Sequence, residues 1–253
     1  MSKSRITMKI ATWNVNSVKA RLEHLTGWLR EDKPDIVLLQ ETKCVNDAFP
    51  ALEIEDLGYN LAIHGEKSYN GVAILSKFPL SDLQKGLPGD EADTQARYIE
   101  AVVSPPQGAV RVASVYVPNG QTLDSEKYPY KLRFLDRLRA HVNALRVHEE
   151  MLVIGGDYNV APYDIDIHNP GFWKKTVLAH PSVREKMRAI IYDGMYEAYR
   201  LTHPEGRDYS WWDYRAGGFA RDDGLLIDHL LLSPQAVDRL TDCRIEKKLR
   251  ALE

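Results

Sequence analysis

Two hydrophobic periods alternate along the chain. Residues 36–39 (Ile-Val-Leu-Leu), 151–154 (Met-Leu-Val-Ile) and the stretch "LLIDHLLLS" are nearly unbroken apolar runs, the pattern of strands covered on both faces. "MKIATWNVN" predicts a first strand over residues 8–13 that breaks at Asn14 and Asn16. "YNLAIHG" and "NGVAILSK" predict one strand pair, and "RYIEAVVS" and "VRVASVYVP" a second across the turn "PPQGA". The helical period replaces this pattern at Val18, Leu22, Leu25, Trp28 and Leu29, over residues 127–147, and around "VREKMRAI", which follows a loop in residues 162–200. Paired strands with helices between them predict two packed sheets covered by helices.

The strands end in a repeated way. The 36–39 run leads into Gln40, Glu41 and Lys43; the first strand ends at Asn14; the 151–154 run leads to Asp157 and Asn159. "VYVPNG" sets Tyr116 at a strand end, and "LLIDH" embeds Asp228 in an apolar run. An unpaired buried charge costs several kcal/mol, so a cation should meet these groups. The donors Asn14, Glu41, Asp157 and Asn159 are all oxygen, which favours Mg²⁺ or Mn²⁺ over zinc. Each residue also has an ordinary reading alone. Glu41 can be a solvated loop residue, Asp157 a turn former, Asn14 a helix cap and Asp228 an ion-pair partner.

Composition narrows the partners. A chain of 253 residues with 44% hydrophobic content supports a sizeable core, and no linker or low-complexity tract divides it. The net charge of −3 excludes a general polycation, so an anionic partner must be met by a local basic patch or a metal. Cys44 and Cys243 lack metal-ligand spacing and fit a reducing, cytoplasmic setting. No apolar run has signal-peptide character or the length of a membrane span.

The segments "ATWNVNS", "PDIVLLQETK", "YVPNG", "GGDYN", "YSWWDYR" and "GLLIDHLLLS" resemble, in family order, the exonuclease III class of AP endonucleases. That class belongs to the metal-dependent endonuclease/exonuclease/phosphatase superfamily, and the resemblance runs from about residue 8 to residue 253. It implies one DNase-I-like domain over residues 1–253, a four-layer α/β sandwich of two packed, mostly antiparallel β-sheets flanked by helices. It implies a monomer that incises double-stranded DNA 5′ to abasic sites and acts as a 3′→5′ exonuclease and 3′-phosphodiesterase. Glu41 would be the main Mg²⁺ ligand (Mn²⁺ substituting), with Asn14, Asp157 and Asn159 close by. Asp157 would activate water, Asn159 would hold Asp157 and the phosphate, Tyr116 would sit against the scissile phosphate, and Asp228 would brace a histidine. Of two adjacent tryptophans in a strand one faces the core, and the resemblance places Trp211 at the pocket for a base-free sugar. Asn16, Lys43, Arg97, Lys127, Lys131 and Arg215 are candidate substrate contacts; singly, each cation also reads as an ordinary surface charge.

The chain departs from the family pattern at three points. Asp222 stands where an asparagine is usual and Leu226 where an arginine is usual. The sequence ends at "LRALE", before the family's Ser-Asp-His and last strand. Neither His229, on the opposite strand face from Asp228, nor His168, in a long loop, replaces that histidine. Retained metal binding with reduced turnover is the corresponding expectation. Two other functions compete: a superfamily phosphatase acting on small phosphate esters, and a non-catalytic DNA-binding remnant.

Overall fold

The computed structural model describes residues 7–249 apart from 107 and 214–216. Twelve strands run in chain order: β1 (Ile10–Asn14), β2 (Ile36–Gln40), β3 (Asn60–His64), β4 (Val72–Ser76), β5 (Leu80–Lys85), β6 (Tyr98–Val103), β7 (Val110–Tyr116), β8 (Leu152–Asp157), β9 (Tyr196–Glu197), β10 (Trp211–Trp212), β11 (Gly224–Leu225) and β12 (Asp228–Leu232). Between them lie α1 (Leu22–Glu31), α2 (Ala51–Glu55), α3 (Lys127–Arg146), α4 (Pro170–Trp173), α5 (Pro181–Tyr192), α6 (Ala198–Thr202) and, last, α7 (Pro234–Val237).

One sheet has the order β1-β2-β4-β3 and the other β5-β6-β7-β8-β12-β9, with β10 and β11 as a separate pair. Ladders are antiparallel except β1–β2 and β7–β8. Those two pairs are the ones joined by the long helical crossovers α1 and α3, as parallel pairing requires. Parallel pairing brings Asn14 beside Gln40 and Tyr116 beside Asp157, so each sheet sends two strand ends to one edge.

The period of two sorts side chains into layers. Ile36 and Leu38 of β2 pack with Ile99, Val112 and Val153 of the second sheet, whereas Val37 and Leu39 pack with Leu25 and Leu29 of α1. On the far side, Phe134 and Leu138 of α3 and Met187 of α5 cover Ile154 and Ala113. The result is helix, sheet, sheet, helix, the predicted four-layer sandwich.

Two elements differ from the sequence reading. "LLIDHLLLS" is broken into β11 and β12, because Ser210 Oγ accepts the Ile227 and Asp228 N–H groups at 3.2 and 3.0 Å. Asp228 therefore starts a strand instead of lying inside one. The β5 strand had no apolar run to announce it: "LSDLQK" is an almost wholly exposed edge with an irregular register between Ser81 and Gln84.

Gly155 and Gly156 mark where β8 is tightest. A Cβ on Gly155 would lie 2.6 Å from Leu38 Cδ1, across the sheet interface, and one on Gly156 would lie 1.9 Å from the Val115 carbonyl oxygen. Gly156→Ala should destabilise the fold by about 3 kcal/mol through overpacking. Thermal denaturation should show Tm lowered by about 6 °C or more; an unchanged Tm would mean β7 and β8 separate without cost.

Candidate active site at the strand ends

The site grows from the edge where the two sheets meet. Gln40, fully buried, donates through Nε2 to Thr12 Oγ1 at 3.0 Å and to Ser114 Oγ at 2.9 Å, and Ser114 donates to the Leu39 carbonyl at 2.8 Å. This polar bridge locks β2 to β7 directly beneath the strand ends. Just above it, the Asn14 amide donates to Glu41 Oε1 at 2.7 Å and to Asp157 Oδ2 at 2.9 Å. Glu41 and Asp157, from different sheets, therefore point to one place.

Several neighbours complete the centre. Lys43 Nζ pairs with Glu41 Oε2 at 2.9 Å and also reaches Asn16 Oδ1, while the Asn16 N–H donates to Asn14 Oδ1 at 3.0 Å. Tyr116 hydrogen-bonds to Glu41, and the Arg97 guanidinium lies 4.8 Å from the centre of the Tyr116 ring. Asp157 Oδ1 accepts the Asn159 N–H at 2.8 Å. Asp228 is the direct β12 partner of Asp157. The Asn159 side chain is turned away: Oδ1 accepts from Asn119 and Nδ2 donates to the Val117 carbonyl, both at 3.0 Å.

The backbone is strained where the site is built. Asn16, Glu41, Lys43 and Asn159 have φ of 43°, 54°, 53° and 50°, in the left-handed region that side chains usually avoid. The hydrogen bonds just described hold these conformations in place.

The carboxylates differ in charge behaviour. Burial works to raise Glu41, but hydrogen bonds from Asn14, Lys43 and Tyr116, together with the Lys43 charge, outweigh it and hold the carboxyl low. Burial and then the adjacent Asp228 charge push Asp157 up to about 8, against the lowering donors Asn14 and Asn159. Burial, followed by the Glu41 and Asp157 charges, raises Tyr116 so that it stays a neutral phenol.

The donor set suits a hard dication. Among the described residues no three His, Cys, Asp or Glu side chains form a ready cage. The Glu41 and Asp157 carboxylates, brought to one place, are nevertheless hard oxygen donors of the kind that leave Mg²⁺ its waters. Burial and the adjacent Asp228 charge raise Asp157, and a cation placed there would favour its ionised form.

The remaining candidates are scattered. Lys127 is exposed at the start of α3, and Arg215 lies outside the described residues. Trp211 is partly exposed and Trp212 fully buried, with its indole N–H on Asp222 Oδ1 at 3.0 Å, so the Asp222 departure supplies an acceptor of its own. His168 pairs with Asp223 at 2.8 Å, and His229 is buried with Nε2 at 2.9 Å from the Val160 carbonyl.

Lys131, expected among the phosphate contacts, is instead completely buried. Its Nζ donates to the carbonyls of Asn119, Asn159 and Val177 at 3.0, 2.6 and 2.8 Å, joining three loops behind Asp157. Burial pushes it down to about 7, opposed by the Asp157 charge. Sequence reasoning marked Gln40 at its strand end without a role, and missed Ser114, Asn119 and Ser210. Asn119 and Ser210 lie inside the motifs "YVPNG" and "YSWW", where a polar residue between turn or strand signals was the available clue.

A model of the endonuclease/exonuclease/phosphatase family matches residues 11–246. Exodeoxyribonuclease III of Haemophilus influenzae is 33% identical over 254 residues, covering 97% of this chain and 95% of that protein. Among solved structures, an AP endonuclease from Archaeoglobus fulgidus superposes with a TM-score of 0.92 at 38% identity, over 98% of this chain and 95% of the other. A 3′-5′ exonuclease from Neisseria meningitidis gives 0.93 at 40% identity, over 97% and 94%.

Two outcomes test this geometry. The Asp157 carboxyl titrates higher in the fold than in the unfolded chain, where it is near 3.9. The folded state thus holds the extra proton between those values, and the stability it contributes is lost as pH rises through about 8. In EDTA, urea denaturation should show wild type losing stability relative to Asp157→Asn between pH 5 and pH 9, in steps of about one pH unit; a pH-independent difference would contradict the assignment. Lys131→Met removes the donor from three carbonyl oxygens, two of them in buried bonds, and should cost about 3 kcal/mol, read as a lowered urea midpoint. Lys127→Met, being exposed, should stay within about 0.5 kcal/mol of wild type, and equal midpoints for the two variants would refute the contrast.

Proposed function

The chain belongs to the endonuclease/exonuclease/phosphatase family, in its exonuclease III branch, and from that premise we propose that it is a Mg²⁺-dependent phosphodiesterase of DNA repair. Its substrate is double-stranded DNA, incised 5′ to abasic sites and trimmed at blocked 3′ ends. The observation that carries this reading is the Asn14 amide held between Glu41 and Asp157, with Tyr116 and Asp228 alongside.

Each group has a task in an in-line displacement at phosphorus. Asp157, made more basic than an ordinary carboxylate by burial and the adjacent Asp228 charge, accepts a proton from the attacking water, and Asn159 steadies it through the backbone N–H. Tyr116, kept neutral, donates to a phosphoryl oxygen. Lys43 and Arg97 place positive charge beside the same position. Trp211 forms an apolar wall for a sugar without a base. Mg²⁺, with Mn²⁺ as substitute, would be held by Glu41 and Asp157 and would supply Lewis-acid neutralisation of the phosphoryl oxygens.

A duplex carrying one abasic analogue, incubated with and without Mg²⁺, tests the proposal. Metal-dependent incision 5′ to the analogue is expected, with Glu41→Gln and Asp157→Asn each slower by about 10²–10⁴-fold. Hydrolysis of an inositol phosphate in preference to the duplex would point to the phosphatase reading. Salt-sensitive duplex binding without cleavage under any divalent ion would point to a binding remnant.

A further inference from the structure

Beside the strand ends, the segment "NPGFWKK" carries an aromatic ring that the core does not use. Pro170 opens α4, whose first turn is capped by the Asn169 side chain. Trp173 packs partly into the core, whereas Phe172 is 61% exposed. The two rings meet edge to face with centroids 5.1 Å apart, and Trp173 meets Trp211 in the same manner at 5.8 Å. A line of three rings thus runs outward from Trp211, the neighbour of Ser210, whose hydroxyl receives the Asp228 N–H. Two lysines follow immediately: Lys174, tied to Asp164 at 2.7 Å, and Lys175, exposed.

An aromatic ring projecting into water beside a second ring, followed by exposed cations, matches a nucleic-acid strand chemically. Base faces stack on such rings whatever the sequence, and lysines meet the phosphates between them. An abasic position adds a specific opportunity, because the base next to the gap has one face without a neighbour. We propose that Phe172 stacks on the DNA base flanking the displaced sugar, with Lys175 at the adjoining phosphate. The assignment rests on the duplex-cleaving reading above and extends it: the lesion is read through the emptied sugar at Trp211 and through the bared base face at Phe172.

The test uses the whole chain and duplexes with a tetrahydrofuran abasic analogue flanked by 2-aminopurine. In EDTA, wild type should quench the 2-aminopurine, and Phe172→Ala should bind the abasic duplex about tenfold more weakly and leave the fluorophore bright. Phe172→Trp should retain both signals. Affinity of Phe172→Ala for the undamaged duplex should equal that of wild type, and its Tm should be unchanged because the ring is exposed. With Mg²⁺, KM should rise for Phe172→Ala while kcat holds. Equal affinity of Phe172→Ala and wild type for the abasic duplex would overturn the proposal. So would an equal loss on damaged and undamaged DNA, which would mark a general backbone contact. If wild type fails to cut any duplex, the nuclease reading fails, and the metal-free binding and quenching comparison still decides the role of Phe172.

Discussion

The amide of Asn14 is the contact on which the centre depends. It comes from the smaller sheet and donates at once to Glu41 beside it and to Asp157 of the larger sheet. Two carboxylates brought this close, one buried and one half-buried, repel one another unless a donor stands between them. The donor can stand there only because the sheets meet in one register, set beneath it by Gln40 on Ser114 and by the absence of a side chain at Gly155. Interface packing and site chemistry are therefore one constraint.

From that constraint the carboxylates acquire different characters. Glu41, at the mouth, is met by Lys43, Tyr116 and Asn14 and stays ionised. Asp157, further in, has Asp228 opposite it and holds its proton far more tightly. Environments that push two acids apart in this way underlie the separate roles proposed for them, one as fixed charge and one in proton transfer. Lys131 supports the arrangement from behind, through backbone carbonyls and not through the substrate face.

Much of this was legible in the residues. Nearly unbroken apolar runs located the inner strands, and the helical stripe at Leu22, Leu25 and Leu29 located α1, because burial on one face or both leaves a direct mark on sequence. The polar residues ending those runs marked Asn14, Glu41 and Asp157 for the same reason. The edge strand β5 left no mark, since a solvated strand needs no apolar face. Lys131 misled because a lysine in a helix with charged neighbours reads as surface; only the three carbonyls converging on it, from segments far apart in the chain, make its burial tolerable. The break before Asp228 was hidden because one hydroxyl, Ser210, replaces ladder bonds that pattern alone assumes.

Asn14 and Asp157 stand 143 positions apart along the chain, and they meet only when both sheets are docked. Closing a loop of that length comes late in folding, after local helices and hairpins have formed. A nascent or half-assembled molecule thus carries the pieces of the proposed centre without their arrangement. Under the proposed nuclease reading, completion of the tertiary structure would itself act as the safety catch against indiscriminate chemistry on nucleic acid.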